Sequence, residues 1–142
     1  MNSQGMENLS LRLTRVSEAG MYRLDCRERD LHAAIAETGY SLFRIDLEKV
    51  RGREDFIAVV ARAINVPDWF GKNWDALSDT LCDFSWQPSP GYVLLLCHGN
   101  DMFGMNVGDY RIAMGIFSDT IEFWRSQDKP FWIFFDHSIH EI

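Results

Sequence analysis

The sequence predicts an α/β fold, a small parallel sheet of three or four strands packed by helices. Two short segments, Tyr92–Cys97 and Phe131–Phe135, are apolar at every position, which is typical of strands covered on both faces of a parallel sheet. Nearer the N-terminus, the predicted elements follow in the order strand, helix, strand, which implies a right-handed parallel crossover. A chain of 142 residues is long enough to bury the core of one such domain.

The N-terminal part of the chain has the weakest pattern. Apolar and polar residues alternate over residues 9–14, which predicts a strand or an extended arm that docks on the domain. Residues 20–24 predict a short strand. Asp30 is the predicted N-cap of a helix that ends at Gly39, because a side-chain acceptor favours a helix start and glycine favours a helix end.

The central and C-terminal elements have clearer patterns. Residues 40–47 alternate between apolar and polar side chains, which predicts a strand. Apolar residues recur every three or four positions over residues 52–65, which predicts a helix that Pro67 terminates. Asp109 is the predicted N-cap of a long helix that ends before Pro130.

Residues 67–83 begin as an aromatic loop and continue as a short helix with two different sides. Asn73 is the predicted N-cap, since its side-chain oxygen can accept a hydrogen bond from a free backbone N–H of the first turn. At about 100° per residue, one side of the helix is apolar and the other is acidic. The apolar side contains Trp74, Leu77 and Leu81. The acidic side contains Asp75, Asp79, Cys82 and Asp83.

The residues alone leave three interpretations of the acidic side open. It can be a solvated surface, a face that binds a protein, or a site where Asp75 and Asp79 hold a divalent cation or act as acid and base. The last interpretation predicts a small metal-assisted hydrolase, with His98 as a further candidate. Trp69 and Phe70 precede the helix, and aromatic residues are frequent anchors in protein interfaces.

Composition narrows the class of partner and the compartment. The formal net charge is -7, which argues against direct binding of nucleic acid and is compatible with a basic protein partner. We find no apolar segment of membrane-spanning length and no secretory signal. The cysteines Cys26, Cys82 and Cys97 match neither a disulfide framework nor a zinc motif. We therefore expect reduced thiols in a cytoplasmic protein.

The stretch around the short helix resembles the barstar family of intracellular ribonuclease inhibitors. The matching motif is Pro67-x-Trp69-Phe70-Gly71-x-Asn73-x-Asp75-Ala76-Leu77-x-Asp79-x-Leu81. A looser likeness in the order of elements extends from Tyr40 to Phe135. The resemblance implies a barstar-like domain over residues 40–142. Residues 1–39 would then be an N-terminal extension that can add a strand and a helix to the same domain.

The resemblance implies an inhibitor that plugs the active site of a basic ribonuclease or related toxin. Carried over position by position, the family's contact region falls on Trp69, Phe70, Gly71, Asn73, Asp75 and Asp79. We add Asp83 at the end of the helix. Asp79 matches the family's central carboxylate, which would face Arg, Lys and His groups of the enzyme. A further acidic contact on the long helix is expected within residues 124–128. In the same segment, the positive charge of Arg125 would repel a basic partner.

Three positions depart from the family's pattern. Ser78 replaces a usual tryptophan, and Cys82 and Asp83 replace a small hydroxyl residue and a glycine of the best-known member. The end of the helix is therefore bulkier and more acidic, which favours a different basic nuclease or toxin as the partner.

The sequence thus predicts an acidic, cytoplasmic immunity protein or antitoxin of the barstar type that inhibits by occlusion. We expect no catalytic residue, no metal site and no cofactor, and binding to neither nucleic acid nor a membrane. Two alternatives stay open. One is a barstar-fold interaction module with a non-nuclease partner, such as its own copies. The other is the metal-assisted hydrolase that uses Asp75 and Asp79.

Overall fold

The computed structural model describes residues 9–67, 71–99 and 101–136. These residues form four strands, five α-helices and two short 3₁₀ turns. The strands are β1 (Met21–Arg23), β2 (Ser41–Asp46), β3 (Tyr92–Cys97) and β4 (Phe131–Phe135). The helices are α1 (residues 9–13), α2 (Glu28–Thr38), α3 (Arg53–Ala63), α4 (Trp74–Leu81) and α5 (Val107–Ser126). The turns are Val16–Glu18 and Asp101–Gly104. A membrane crossing requires a length and an apolar composition that no helix of the described ranges combines.

All four strands run parallel, in the order β1–β4–β3–β2. In the register of the sheet, Tyr92 of β3 lies beside Ser41 of β2 and Phe131 of β4. Every residue of β3 and β4 is buried, because both strands have neighbours on each side and helices over both faces. The predicted α/β fold with a small parallel sheet is confirmed, and the continuously apolar segments are its central strands.

The two faces of the sheet bury alternate residues of the same strands, as the geometry of a β-strand requires. Even-numbered residues of β3 pack into a core with α3, α4 and α5. Odd-numbered residues of β3 pack into a second core under α1, the turn Val16–Glu18 and α2. We call residues 9–19, which contain α1 and this turn, together with α2 the N-terminal layer. This double cover explains why β3 has no polar position.

Residues 9–13 form a helix, so the predicted strand or extended arm is wrong. Leu9 and Leu13 lie one helical turn apart, and Leu13 is 0% exposed whereas Leu11 is 60% exposed. Leucines at every second position also contain the i, i+4 spacing that gives a helix an apolar side, so the pattern does not distinguish the two structures. Trp132 fixes the end of α1, since its Nε1 donates to the carbonyl oxygen of Leu13 at 2.9 Å.

Two helix starts also differ from the prediction. Helix α2 follows Arg27 and α5 follows Asn106, so Asp30 and Asp109 lie within the first turns. Asn106 is the true cap of α5, because its Oδ1 accepts from the backbone N–H of Asp109 at 2.8 Å. The helix dipole favours carboxylates throughout the first turn. An aspartate therefore marks a helix start without fixing the first residue.

Candidate functional site

Helix α4 starts at the cap that the sequence predicts. Asn73 has an extended backbone, and its Oδ1 accepts from the backbone N–H of Ala76 at 2.7 Å. The backbone oxygen of Asn73 accepts from the N–H of Leu77 at 2.9 Å. Asp75 lies in the first turn, where the helix dipole favours a carboxylate. These local interactions fix the start of α4.

The apolar side of α4 is buried, as the periodicity predicts. Leu77 and Leu81 are 0% exposed, and the ring of the half-buried Trp74 lies 6.1 Å from that of Phe56. At the other end, Nε1 of Trp124 donates to the carbonyl oxygen of Leu81 at 2.8 Å. Carbonyls in the last turn of a helix lack intrahelical partners. Trp124 therefore satisfies one of them and anchors α4 to α5.

The acidic side of α4 faces away from the core and is exposed at all three aspartates. Part of it surrounds an open depression of about 370 Å³ between the loop and the helix. The depression is lined by Gly71, Ala76, Asp79, Thr80 and Asp83. A Cβ added at Gly71 would lie 3.4 Å from the Cβ of Ala76, so the loop backbone runs close to the helix. The depression thus brings two carboxylates to one concave surface.

Three of the predicted contact residues line this depression: Gly71, Asp79 and Asp83. Asp75 is exposed on the same side of α4 but does not line it. Asn73 has a structural task as the cap. Trp69 and Phe70 lie outside the described residues, so their contact role stays a prediction.

Helix α5 adds a carboxylate that the sequence analysis missed. Burial raises the pKa of the Cys82 thiol, and Asp79 and Asp119 raise that pKa further, although a hydrogen bond with Thr120 acts in the opposite direction. Thr120, which follows Asp119 on α5, forms this hydrogen bond with Cys82, so Asp119 belongs to the part of α5 that meets the end of α4. Helical periodicity could have indicated the exposed Asp119, since the buried positions 116, 117, 120 and 121 place residue 119 outside the buried side of α5.

The segment 124–128, where a further acidic contact is expected, has other contacts. Arg125 pairs with Glu122 at 3.0 Å, and its guanidinium also donates to three backbone oxygens. These acceptors belong to Val16, Ser17 and Ala19, at 2.8, 3.1 and 3.0 Å. Arg125 therefore attaches the N-terminal layer to α5, and its effect on a basic partner stays a prediction. Asp119 becomes the candidate acidic contact on the long helix.

The metal-assisted interpretation gains no support from the geometry around α4. Within the described ranges, the side chains that could jointly hold a cation are Asp46, Glu48 and His98, whose ligand atoms lie within 4.8 Å of one another. His98 Nδ1 lies 3.2 Å from Asp46 Oδ1. His98 is thus placed beside Asp46, while Asp75 and Asp79 belong to no such group among the described residues.

The fold and this surface define a small α/β protein that exposes an acidic helix beside its longest helix. A family model with the description Barstar (barnase inhibitor) matches residues 40–136. The chain belongs to the barstar family, whose members are inhibitors rather than enzymes. The matched segment contains β2 to β4 and α3 to α5 and begins after the N-terminal layer. A comparison with curated proteins finds no match.

Proposed function

We propose that this protein is a cytoplasmic inhibitor that binds a basic ribonuclease or related toxin and occludes its active site. The observation that carries the proposal is the capped helix α4, which presents exposed carboxylates within the segment that the barstar family model matches. The protein would act by steric and electrostatic occlusion and would have no catalysis of its own.

The charges of this surface support a cationic partner. Within the described ranges, none of Asp75, Asp79, Asp83 and Asp119 belongs to an ion pair. Neighbouring carboxylates without cations repel one another, and a cationic partner would relieve that repulsion. With a net charge of -7, the protein would also attract such a partner at long range and accelerate association, in a way that salt weakens.

The proposed contact residues have different tasks. Asp79, which lines the depression, is the central carboxylate for the cationic groups of the partner, and Asp75 and Asp83 flank it on α4 or just beyond its end. Trp69 and Phe70 in the preceding loop are the proposed aromatic contacts. Gly71 and Asn73 would hold that loop against the helix, through close backbone approach and through the cap respectively.

The end of the helix supports a partner different from the best-known ribonuclease of this family. Ser78 is half-buried, Cys82 is half-buried near Thr120, and Asp83 is exposed at the depression. A larger and more acidic surface at this point would clash with an enzyme whose surface fits a glycine there. It would favour an enzyme with an additional cationic group.

A calorimetric titration tests the proposal against a panel of secreted basic ribonucleases that includes barnase. We expect at least one enzyme to bind with a 1:1 stoichiometry, more tightly at low than at physiological ionic strength. Asp79→Ala should weaken that binding about 100-fold or more, because it leaves cationic groups of the partner buried and unpaired. Glu37→Ala is the matched control, since it removes one exposed carboxylate from the N-terminal layer and changes the net charge equally.

Two results would contradict the proposal. The first is the absence of binding to every enzyme of the panel at low ionic strength. The second is an equal loss of affinity in Asp79→Ala and Glu37→Ala, which would mean that only the overall charge matters.

A further inference from the structure

Helix α5 has two flanks with different surroundings. One flank carries Arg125, whose guanidinium bonds to the N-terminal layer. The other flank adjoins α4, because Thr120 forms a hydrogen bond with Cys82 and Trp124 donates to the carbonyl oxygen of Leu81. The N-terminal layer therefore meets α5 on the flank of Arg125, away from α4.

The flank beside α4 carries apolar side chains that reach the surface. At about 100° per residue, Ile112, Ile116, Asp119 and Phe123 fall within about 60° of one another. Ile112 is 44% exposed and Phe123 is 38% exposed. Next to them, an added Cβ at Gly115 would meet no atom within 4 Å. We call Ile112, Gly115, Ile116 and Phe123 the α5 stripe.

The α5 stripe continues the acidic surface of α4. Phe123 lies edge-on to Trp124, with ring centroids 5.1 Å apart and an interplanar angle of 86°, and Trp124 in turn holds the last turn of α4. Asp119 lies on the stripe side of α5, one helical turn before Phe123. The contact with Trp124 restricts the ring of Phe123, which lowers the entropy cost of using it as a contact.

The area of α4 alone is small for a specific interface. A helix of eight residues is about 12 Å long, whereas a typical stable interface covers about 800 Å² on each partner. The α5 stripe spans residues 112–123 and adds apolar area next to the charges. An apolar centre flanked by charged groups is the common arrangement of protein interfaces.

We infer that the basic partner of the proposed function also contacts α5 and places an apolar patch, adjacent to its cationic groups, on Phe123 and Ile112. This inference rests on the proposed function. Asp79 then supplies the charge that attracts the partner, and Phe123 supplies contact area that retains it. Phe123 determines specificity, because a basic protein without an apolar patch beside its cationic site would bind more weakly.

The test compares Phe123→Ala, Ile112→Ala and Asp79→Ala in stopped-flow and surface-binding kinetics, with the panel ribonuclease that wild type binds most tightly as the probe. Phe123→Ala should weaken affinity about tenfold and Ile112→Ala about threefold, both through faster dissociation. Neither should change the salt dependence of the affinity, whereas Asp79→Ala should reduce it. Tyr22→Ala is the matched control, since Tyr22 is 42% exposed and its ring lies 5.7 Å from that of the buried Trp132 in the second core.

Each outcome decides the inference. If Asp79→Ala loses affinity while Phe123→Ala behaves like Tyr22→Ala, the inference is overturned and the proposed function stands. If wild type binds no enzyme of the panel, both fail together. If wild type forms dimers by light scattering and Phe123→Ala makes it monomeric without changing nuclease binding, the α5 stripe is an interface between copies and the inference is overturned.

Discussion

The layers on the two faces of the sheet are held in place by different interactions. Helices α3 to α5 share the larger apolar core with the sheet. The N-terminal layer has a smaller apolar core and is tied down by polar bonds. Arg125 holds three carbonyls of this layer, Trp132 holds Leu13, and Arg44 of β2 bonds to Glu28 of α2 at 2.7 Å.

Charged side chains have different surroundings in the N-terminal layer and on the surface of α4 and α5. In the N-terminal layer, Glu18 pairs with Arg15 and Glu28 with Arg44, and Arg125 of α5 attaches the layer through its carbonyls. On α4 and the adjoining flank of α5, the carboxylates of Asp75, Asp79 and Asp119 are exposed, and the described residues provide no ion pair for them. One set of charges thus contributes to stability, and we propose that the other set binds a partner.

The largest effect that separates the two regions is expected from Arg125→Met. The substitution removes the guanidinium donor that the carbonyls of Val16, Ser17 and Ala19 share, so the free energy of unfolding should fall by about 2–3 kcal/mol. Nuclease affinity should stay unchanged, because Arg125 faces the N-terminal layer. Urea unfolding and calorimetry measure the two quantities. Arg111→Met, at an exposed position of the same helix, is the control and should change stability by less than about 0.5 kcal/mol.

If Arg125→Met also lowered the free energy of nuclease binding by about 2–3 kcal/mol, attachment of the N-terminal layer and partner binding would be coupled. The proposed difference between the two regions would then be wrong.

The cap of α4 connects stability with the proposed contact surface. Asn73→Ala removes the acceptor for the N–H of Ala76 and should lower the free energy of unfolding by about 1 kcal/mol. It should also weaken nuclease binding, because the loop before α4 is no longer fixed. Asn73→Asp keeps the acceptor and should restore both quantities. A loss of stability without any loss of affinity would show that the cap serves the fold alone.

The smallest effect is expected at the ion pair between Glu28 and Arg44. The hydrogen bond from Arg44 lowers the pKa of Glu28 from its ordinary value of 4.5. The pair therefore stabilises the protein at neutral pH, and this contribution is lost as the pH falls below 4.5 through the folded pKa. Since the two side chains are 37% and 40% exposed, the contribution should be below about 1 kcal/mol.

Urea unfolding at neutral and acidic pH measures this effect. Glu28→Gln should lose less stability on acidification than wild type, and Glu37→Gln, at an exposed position of the same helix, should follow wild type. If the free energy of unfolding depended on pH identically in all three proteins, the stabilising role assigned to the pair Glu28–Arg44 would be contradicted.

The features that the sequence predicts correctly depend on local signals. Tyr92–Cys97 and Phe131–Phe135 are apolar throughout because both faces of each strand are covered. Asn73 is a cap because its side chain reaches the backbone three residues later. Such patterns are complete within a few consecutive residues and do not depend on the rest of the fold.

The features that escaped prediction depend on contacts between distant segments. Arg125 meets carbonyls more than 100 residues earlier in the chain, and Asp119 comes near the end of α4 only because α5 packs on α4. The helix at residues 9–13 escaped because leucine spacing alone fits two structures. Packing of Leu13 under Trp132 selects the helix.

The most direct test of the central claim is an RNA cleavage assay in which the ribonuclease that binds most tightly is titrated with this protein. We expect cleavage to fall linearly to zero at one equivalent of wild type and of Glu37→Ala. Asp79→Ala should inhibit with an inhibition constant about 100-fold higher than that of wild type. Undiminished cleavage at saturating wild-type protein, or equal inhibition by Asp79→Ala, would contradict the account.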